Sequence, residues 1–222
     1  MSKSIFITAT GTDVGKTFVS ALLVKKLYEA KLNVGYYKPL LSGLELPVLS
    51  DVDYVKQVSG IPQNINTMVS YTYRKAVSPH LAAQFEGNPL ELPRITQAFS
   101  ELAQQYDYLT VEGCGGIICP LRYDEQQIFL TDIIQALQLS TIVVTNAALG
   151  SLNATMLTLE YLKQQGITVQ GLIINNYDVN CQMQQDNKMM LTQMSNLPIL
   201  ATVAPNAQNI DISIQELTQL YR

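Results

Sequence analysis

Short apolar, β-branched runs alternate along the chain with longer stretches in which apolar residues recur every three or four positions. Ser4-Ile5-Phe6-Ile7-Thr8 reads as a buried strand, and Phe18 to Leu27 as a helix with an apolar stripe. Asn33 to Pro39 reads as a second strand, ended where Pro39 removes a backbone donor. Pro47 to Ser50 reads as loop, with Ser50 capping a helix over Asp51–Ser59 that Gly60 and Pro62 stop. Met68–Tyr73 alternates as a short strand. Ser78 and Pro79 open a helix to Phe85, broken by Gly87-Asn88-Pro89. Ile95 to Tyr106 is amphipathic, and Tyr108–Glu112 is an apolar strand ending in a carboxylate. Helices near Leu130–Leu137, Asn153–Gln164, Gln182–Met194 and Ile212–Leu220 then alternate with strands Thr141–Thr145, Gly171–Asn175 and Ile199–Val203. The methionines of Gln182–Met194 are expected to line its apolar side.

This alternation predicts right-handed crossovers and an α/β fold, a mostly parallel sheet with helices on both faces. No linker interrupts it, so residues 1–222 are expected to form a single domain.

Composition narrows the class. Apolar residues make up 47% and charged residues 14%, enough for a sizeable core and too little charge for a disordered chain. The net charge of −4 and pI near 5.0 argue against a nucleic-acid surface. They leave room for a local anion site. No run approaches the ~20 apolar residues of a spanning helix. Cys114, Cys119 and Cys181 are an odd count with no signal peptide ahead of them, and a reducing, cytoplasmic setting without membrane contact is expected. Cys114 and Cys119 have no second cysteine pair and the chain has one histidine, which disfavours zinc.

The candidate chemistry starts at Thr8-Ala9-Thr10-Gly11-Thr12-Asp13-Val14-Gly15-Lys16-Thr17. A strand runs into a glycine-bearing loop, then Gly-Lys-Thr, then a helix, which is the context of a P-loop. Amides of Thr12, Asp13, Val14, Gly15 and Lys16 would face phosphate oxygens, Lys16 would reach the β- and γ-phosphates, and the Thr17 hydroxyl would sit on Mg²⁺. The general pattern has Gly where this chain has Thr10, with Gly11 next door. Glu112, at a strand end before Gly113-Cys114-Gly115-Gly116, is a second Mg²⁺ candidate, with Gly113 and Gly115 letting the turn pass close to a ligand. Lys38 also ends a strand, at the edge where parallel sheets bind ligands. Asp51 and Asp53 read from periodicity as acids favoured at a helix N-terminus. His80, in a first helical turn, reads as structural. Asn175 and Asn176 end a strand, where their amides either read a base or satisfy loop backbone.

Taken together these stretches resemble the dethiobiotin synthetase family of P-loop NTPases. The matching pieces are Thr8 to Thr17, Tyr37-Lys38-Pro39 with Ser42-Gly43, Ser50-Asp51, Ser78-Pro79-His80, Glu112 to Gly116 with Pro120-Leu121, Leu149 to Asn153, and Asn175. The resemblance implies an ATP-dependent ligase of biotin biosynthesis, joining 7,8-diaminononanoate with CO₂ or bicarbonate in a homodimer. It assigns Thr17, Asp51 and Glu112 to Mg²⁺, and so moves Asp51 from capping to metal binding. It gives Lys16, Lys38 and Thr12 catalytic roles and puts Thr12, Lys38 and Ser42 on the diamine. Gly150, Ser151 and Asn153 of the partner subunit would hold the far carboxylate, and Asn175 and Asn176 would lie on the adenine side. Ala9, Cys114, Asn176 and Asp13 depart from the commonest family residues. A partitioning-type P-loop ATPase is the main rival. That class has a second loop lysine five residues before Lys16, where this chain has Gly11.

Overall fold

The computed structural model describes residues 2–45 and 49–222, so Pro47 and Val48 of the expected loop lie outside the described residues. Among the described residues the strands are β1 (Lys3–Ala9), β2 (Val34–Ser42), β3 (Val69–Tyr73), β4 (Tyr108–Glu112), β5 (Pro120–Tyr123), β6 (Gln127–Phe129), β7 (Thr141–Thr145), β8 (Val169–Asn175) and β9 (Ile199–Val203). The α-helices among them are α1 (Lys16–Glu29), α2 (Asp51–Ser59), α3 (Pro79–Glu86), α4 (Leu92–Ala103), α5 (Leu130–Ala136), α6 (Ser151–Gln164), α7 (Gln182–Ser195) and α8 (Ile214–Leu220).

Seven strands form one parallel sheet in the order β3-β2-β4-β1-β7-β8-β9. Successive strand residues face opposite sides. Ile5 and Ile7 join Ile142 and Val144 under α1, α2 and α8, whereas Phe6 and Val143 join the core beneath α3 to α7. Both faces are therefore covered, which is why the strands read as near-continuous apolar runs. The chain leaves β1 toward β4 and β2 and later returns to β1's other side at β7. Ligands of such sheets bind beyond the strand ends where the order reverses, and the loop after β1 lies there.

Several elements depart from the sequence reading. β2 continues through Pro39 to Ser42. Its pairing with β4 ends at Tyr37↔Val111, and from Lys38 onward it pairs with β3. The Lys38 N–H donates to Met68 on the β3 side. The next donor would face the β4 side, where pairing is over, so Pro39 costs no ladder bond. A small antiparallel hairpin, β5–β6, escaped the pattern. α4 starts at Leu92, with proline in its first turn, and ends at Ala103. Ser78 precedes α3 without a side-chain cap bond, while Ser50 accepts from the Asp53 N–H as expected. α7 buries Asn187 and Leu191, and Met183, Met189 and Met194 are exposed instead of lining its inner side. Asn187 donates from Nδ2 to the carbonyl of Ala147 at 2.8 Å and so ties α7 to the loop after β7.

Candidate active site

The loop after β1 makes its tight turn at Asp13 (φ 59°) and Gly15 (φ 99°), not at Thr10 or Gly11. A glycine at position 10 is therefore not demanded by backbone sterics. Gly11 packs against the turn after β4, where a Cβ placed on Gly116 would come within 3.4 Å of Gly11 Cα. Gly15 is required twice. Its φ is left-handed, and a Cβ there would fall 2.0 Å from Asn175 Nδ2. Asn175, at the end of β8, donates from that nitrogen to the Val14 carbonyl at 3.0 Å. Its Oδ1 is buried and has no partner among the described residues.

Lys16 and Thr17 open α1, and the Lys16 ammonium reaches back to the Gly11 carbonyl at 3.1 Å. Burial and then the nearby Lys38 charge pull Lys16 below the ordinary lysine range. A phosphate anion placed beside Lys16 would oppose both effects.

Beside it lies a compact ionic cluster from three elements. Lys38 of β2 sits 2.7 Å from Glu112 Oε1 of β4 and 2.8 Å from Asp51 Oδ2 at the start of α2. It also donates to the Gly113 carbonyl at 3.2 Å. The Thr17 hydroxyl donates to the same Glu112 Oε1 at 2.8 Å. Tyr36, two residues before Lys38 and thus on its face of β2, donates its hydroxyl to Glu112 Oε2 at 2.9 Å. Burial disfavours the Lys38 ammonium, but Glu112 and Asp51 outweigh it and hold Lys38 above the ordinary lysine value. Burial pushes the Asp51 carboxyl up, and the Lys38 charge with hydrogen bonds from Lys38 and Thr17 reverses that, leaving it lowered. Cys114 lies in the adjoining turn. The neighbouring Cys119 thiol lowers the Cys114 thiol against the effect of burial, helped by Lys38 and Lys16.

The donor set suits Mg²⁺. Thr17, Asp51 and Glu112 offer hard oxygens near the Lys16 ammonium. Among the described residues no group of three or more His, Cys, Asp or Glu side chains gathers. Two carboxylates and a hydroxyl, completed by phosphate oxygens and water, are what Mg²⁺ takes in nucleotide sites.

The other residues singled out from sequence lie around this cluster less tightly. Thr12 and Asp13 are exposed on the loop after β1, and Ser42 is half-buried at the end of β2. Asn176 is exposed with φ 54°. Gly150 caps α6 in a left-handed conformation, Ser151 is buried with an unpartnered hydroxyl, and Asn153 is exposed. Among the described residues, no hydrogen bond joins this helix start to the loop after β1 or to Lys38. His80 has a buried, unpartnered Nδ1. The residues missed from sequence are Tyr36 and Gln63. Their signal was only that Tyr36 shares the face of Lys38.

Solved structures with the same fold include the MinC:MinD cell division protein complex of Aquifex aeolicus (TM-score 0.59, 13% identity, 98% of this chain and 85% of that one). A ParA family ATPase from Chlorobium tepidum is similar (TM-score 0.58, 16% identity, 99% of this chain and 90% of that one). At that identity they speak to fold alone. A family model described as an AAA domain matches residues 3–212. An ATP-dependent dethiobiotin synthetase BioD of Clostridium botulinum strain Alaska E43 is 47% identical over 225 residues, covering 100% of this chain and 99% of that protein. The protein of the same name from Brachyspira hyodysenteriae is 45% identical over 212 residues, covering 95% and 96%. With this identity along the whole chain, and with Lys16, Thr17, Lys38, Asp51 and Glu112 gathered at one sheet edge, the chain belongs to the ATP-dependent dethiobiotin synthetase family.

Proposed function

We propose that the chain closes the cyclic urea of dethiobiotin from 7,8-diaminononanoate and CO₂, with ATP converted to ADP and phosphate. One amine takes up CO₂ as a carbamate. The carbamate oxygen accepts the γ-phosphoryl group, and the second amine closes the ring and expels phosphate. The observation that carries this reading is Lys38, a buried ammonium held between Asp51 and Glu112 beside the Lys16 loop.

Phosphoryl transfer depends on positioning and fixed charge more than on a dedicated base. Lys16 and the amides of Thr12 to Lys16 bind the phosphates. Lys38 meets the anionic carbamate and the transferred group, with Thr12 and Ser42 placing the diamine. Thr17, Asp51 and Glu112 hold Mg²⁺, which when bound neutralises charge on the β- and γ-phosphates. The free, buried Oδ1 of Asn175 is an acceptor suited to the adenine amino group, with Asn176 on the same side.

Gly150, Ser151 and Asn153 at the start of α6 hold the far carboxylate of the substrate bound by a second copy of the chain. Two features support a homodimer there. Leu149, Leu157 and Met194 are exposed on or beside α6 and α7. Leu157 and Met194, with Asn153 and Met156, help to line a groove of about 690 Å³. No helix among the described residues is long and apolar enough to cross a membrane, and a cytoplasmic setting fits this activity.

The deciding experiment measures ADP release with Mg-ATP and bicarbonate, with and without 7,8-diaminononanoate. Diamine-dependent release with dethiobiotin as product supports the reading. ATP binding with no diamine-dependent release overturns it and returns the partitioning-type ATPase to consideration.

A further inference from the structure

Glu112 is fully excluded from solvent, so bulk water does not satisfy its two oxygens. Oε1 accepts from Lys38 and Thr17, the two groups that face the phosphate site. Among the described residues, Oε2 accepts from the Tyr36 hydroxyl alone, at 2.9 Å. Tyr36 is itself fully buried, its ring packed in the core beneath α1 and α2.

Its backbone is fixed by an unusual device. β2 pairs with β3 only from Lys38 onward, so the β3-side edge of β2 has no strand neighbour at Tyr36. The buried Gln63 side chain fills that gap. Its Oε1 accepts the Tyr36 N–H at 2.8 Å, and its Nε2 donates to the Tyr36 carbonyl at 3.0 Å. One side-chain amide thus stands in for a strand and holds the residue whose phenol holds Glu112.

We infer that Tyr36, anchored by Gln63, is a positioning residue that occupies Glu112 Oε2 and so dedicates Oε1, as a single oxygen, to the metal side of the site. The inference rests on the reading of Glu112 as a Mg²⁺ ligand. Groups that orient a metal ligand typically change metal affinity by about 10–100-fold when removed. Without the phenol, Oε2 lies buried with no donor, and the carboxylate is free to turn and offer both oxygens to Lys38 or the metal. A phenylalanine at position 36 would keep the packing and lose only that bond.

The test uses the full chain and Mn²⁺ in place of Mg²⁺. ADP affinity is measured by calorimetry in EDTA and again with saturating Mn²⁺, and the ratio of the two reports how strongly metal assists nucleotide. Tyr36→Phe is expected to lower that ratio about 10-fold or more while ADP affinity in EDTA stays unchanged. A merely structural loosening would weaken both equally. Tyr37→Phe is the control, because its hydroxyl bonds Ser70 on the other face of β2, and it is expected to leave the ratio unaltered. A lowered ratio in Glu112→Gln with an unaltered one in Tyr36→Phe overturns the role of Tyr36 alone. An unaltered ratio in Glu112→Gln overturns the metal reading and this inference with it. Should Tyr36→Phe fail to fold, Gln63→Ala carries the test: a lowered ratio is expected, and an unaltered one overturns the inference.

Discussion

Lys38 Nζ lies 2.7 Å from Glu112 Oε1, and both groups are shut off from solvent in neighbouring strands of the sheet. A charge placed this way is preorganised. It needs no reorientation when an anion forms beside it, which is the condition for large electrostatic effects on a transition state. Lys38→Ala is therefore expected to lower turnover by about 10²–10³, the scale of losing one preorganised donor. ATP affinity should fall only modestly, since Lys16 and the loop amides remain. Steady-state kinetics and ATP calorimetry on the same preparation check this, and unchanged turnover would remove Lys38 from the mechanism.

The same cluster sets a pH dependence. Lys38 is held above the ordinary lysine value, so the folded state keeps its proton to higher pH than the unfolded chain. Its stabilising contribution is full below the unfolded value of about 10.4 and is lost as pH rises through the folded value. Asp51 is shifted downward, so its contribution is full above about 3.9 and is lost as pH falls through its folded value. Urea unfolding across pH should show this pair contributing a plateau between those limits. In Lys38→Met the alkaline decline assigned to Lys38 should be absent. Lys38 should also add no inflection to the pH–rate profile between about pH 7 and 9. An inflection there that Lys38→Met abolishes would contradict the upward shift.

The strand–helix alternation was legible because a sheet covered on both faces makes its strands nearly all apolar, as in Ile5-Phe6-Ile7 and Ile142-Val143-Val144. The loop from Thr10 to Thr17 was legible because its chemistry is local. β5 and β6 were not, since strands of four and three residues with one buried position each carry almost no alternation. Pro39 misled because a missing donor ends a strand only when a neighbour needs it, and here the sheet changes partner at that residue. Tyr36 and Gln63 stayed hidden for a related reason. Their contacts depend on which strand lies beside β2 and in what register, and neither is written in the periodicity of one segment. Periodicity read Asp51 as an acid favoured at a helix N-terminus, and only the family pattern moved it to metal binding; its ion pair with Lys38 depends on where β2 lies beside α2, which periodicity does not record.

Gly15 offers a steric test of the loop. Gly15→Ala must place a methyl in a left-handed backbone and against the Asn175 amide, which itself braces Val14. Gly87 has a similar left-handed φ of 61° but open space around it. Gly87→Ala should therefore cost about 1–2 kcal/mol in stability and leave ATP binding intact. Gly15→Ala should cost more and also reduce ATP affinity at least 10-fold, because the loop amides and the Asn175 Oδ1 move together. Thermal melts and nucleotide titration of the two variants separate strain from clash. Equal effects on both proteins would show that the Asn175 contact does not shape the loop.

Lys16 carries a cost in the absence of ligand. Its ammonium is buried near the Lys38 charge, and among the described residues it is bonded to the Gly11 carbonyl alone. Its lowered pKa means that the unfolded chain binds this proton more readily than the folded one, so the charge opposes folding at neutral pH. Lys16→Met retains most of the aliphatic volume and removes the charge. The unliganded variant is expected to melt higher than the parent, on the order of 2–4 °C for each kcal/mol relieved in a chain of this length. Mg-ATP should raise the parent's melting temperature and not that of the variant, because the lysine's partner is the phosphate. Differential scanning calorimetry with and without Mg-ATP reads both effects. A variant that melts lower than the parent without ligand would mean that Lys16 is satisfied within the fold, and that the loop holds no cation in reserve for an anion.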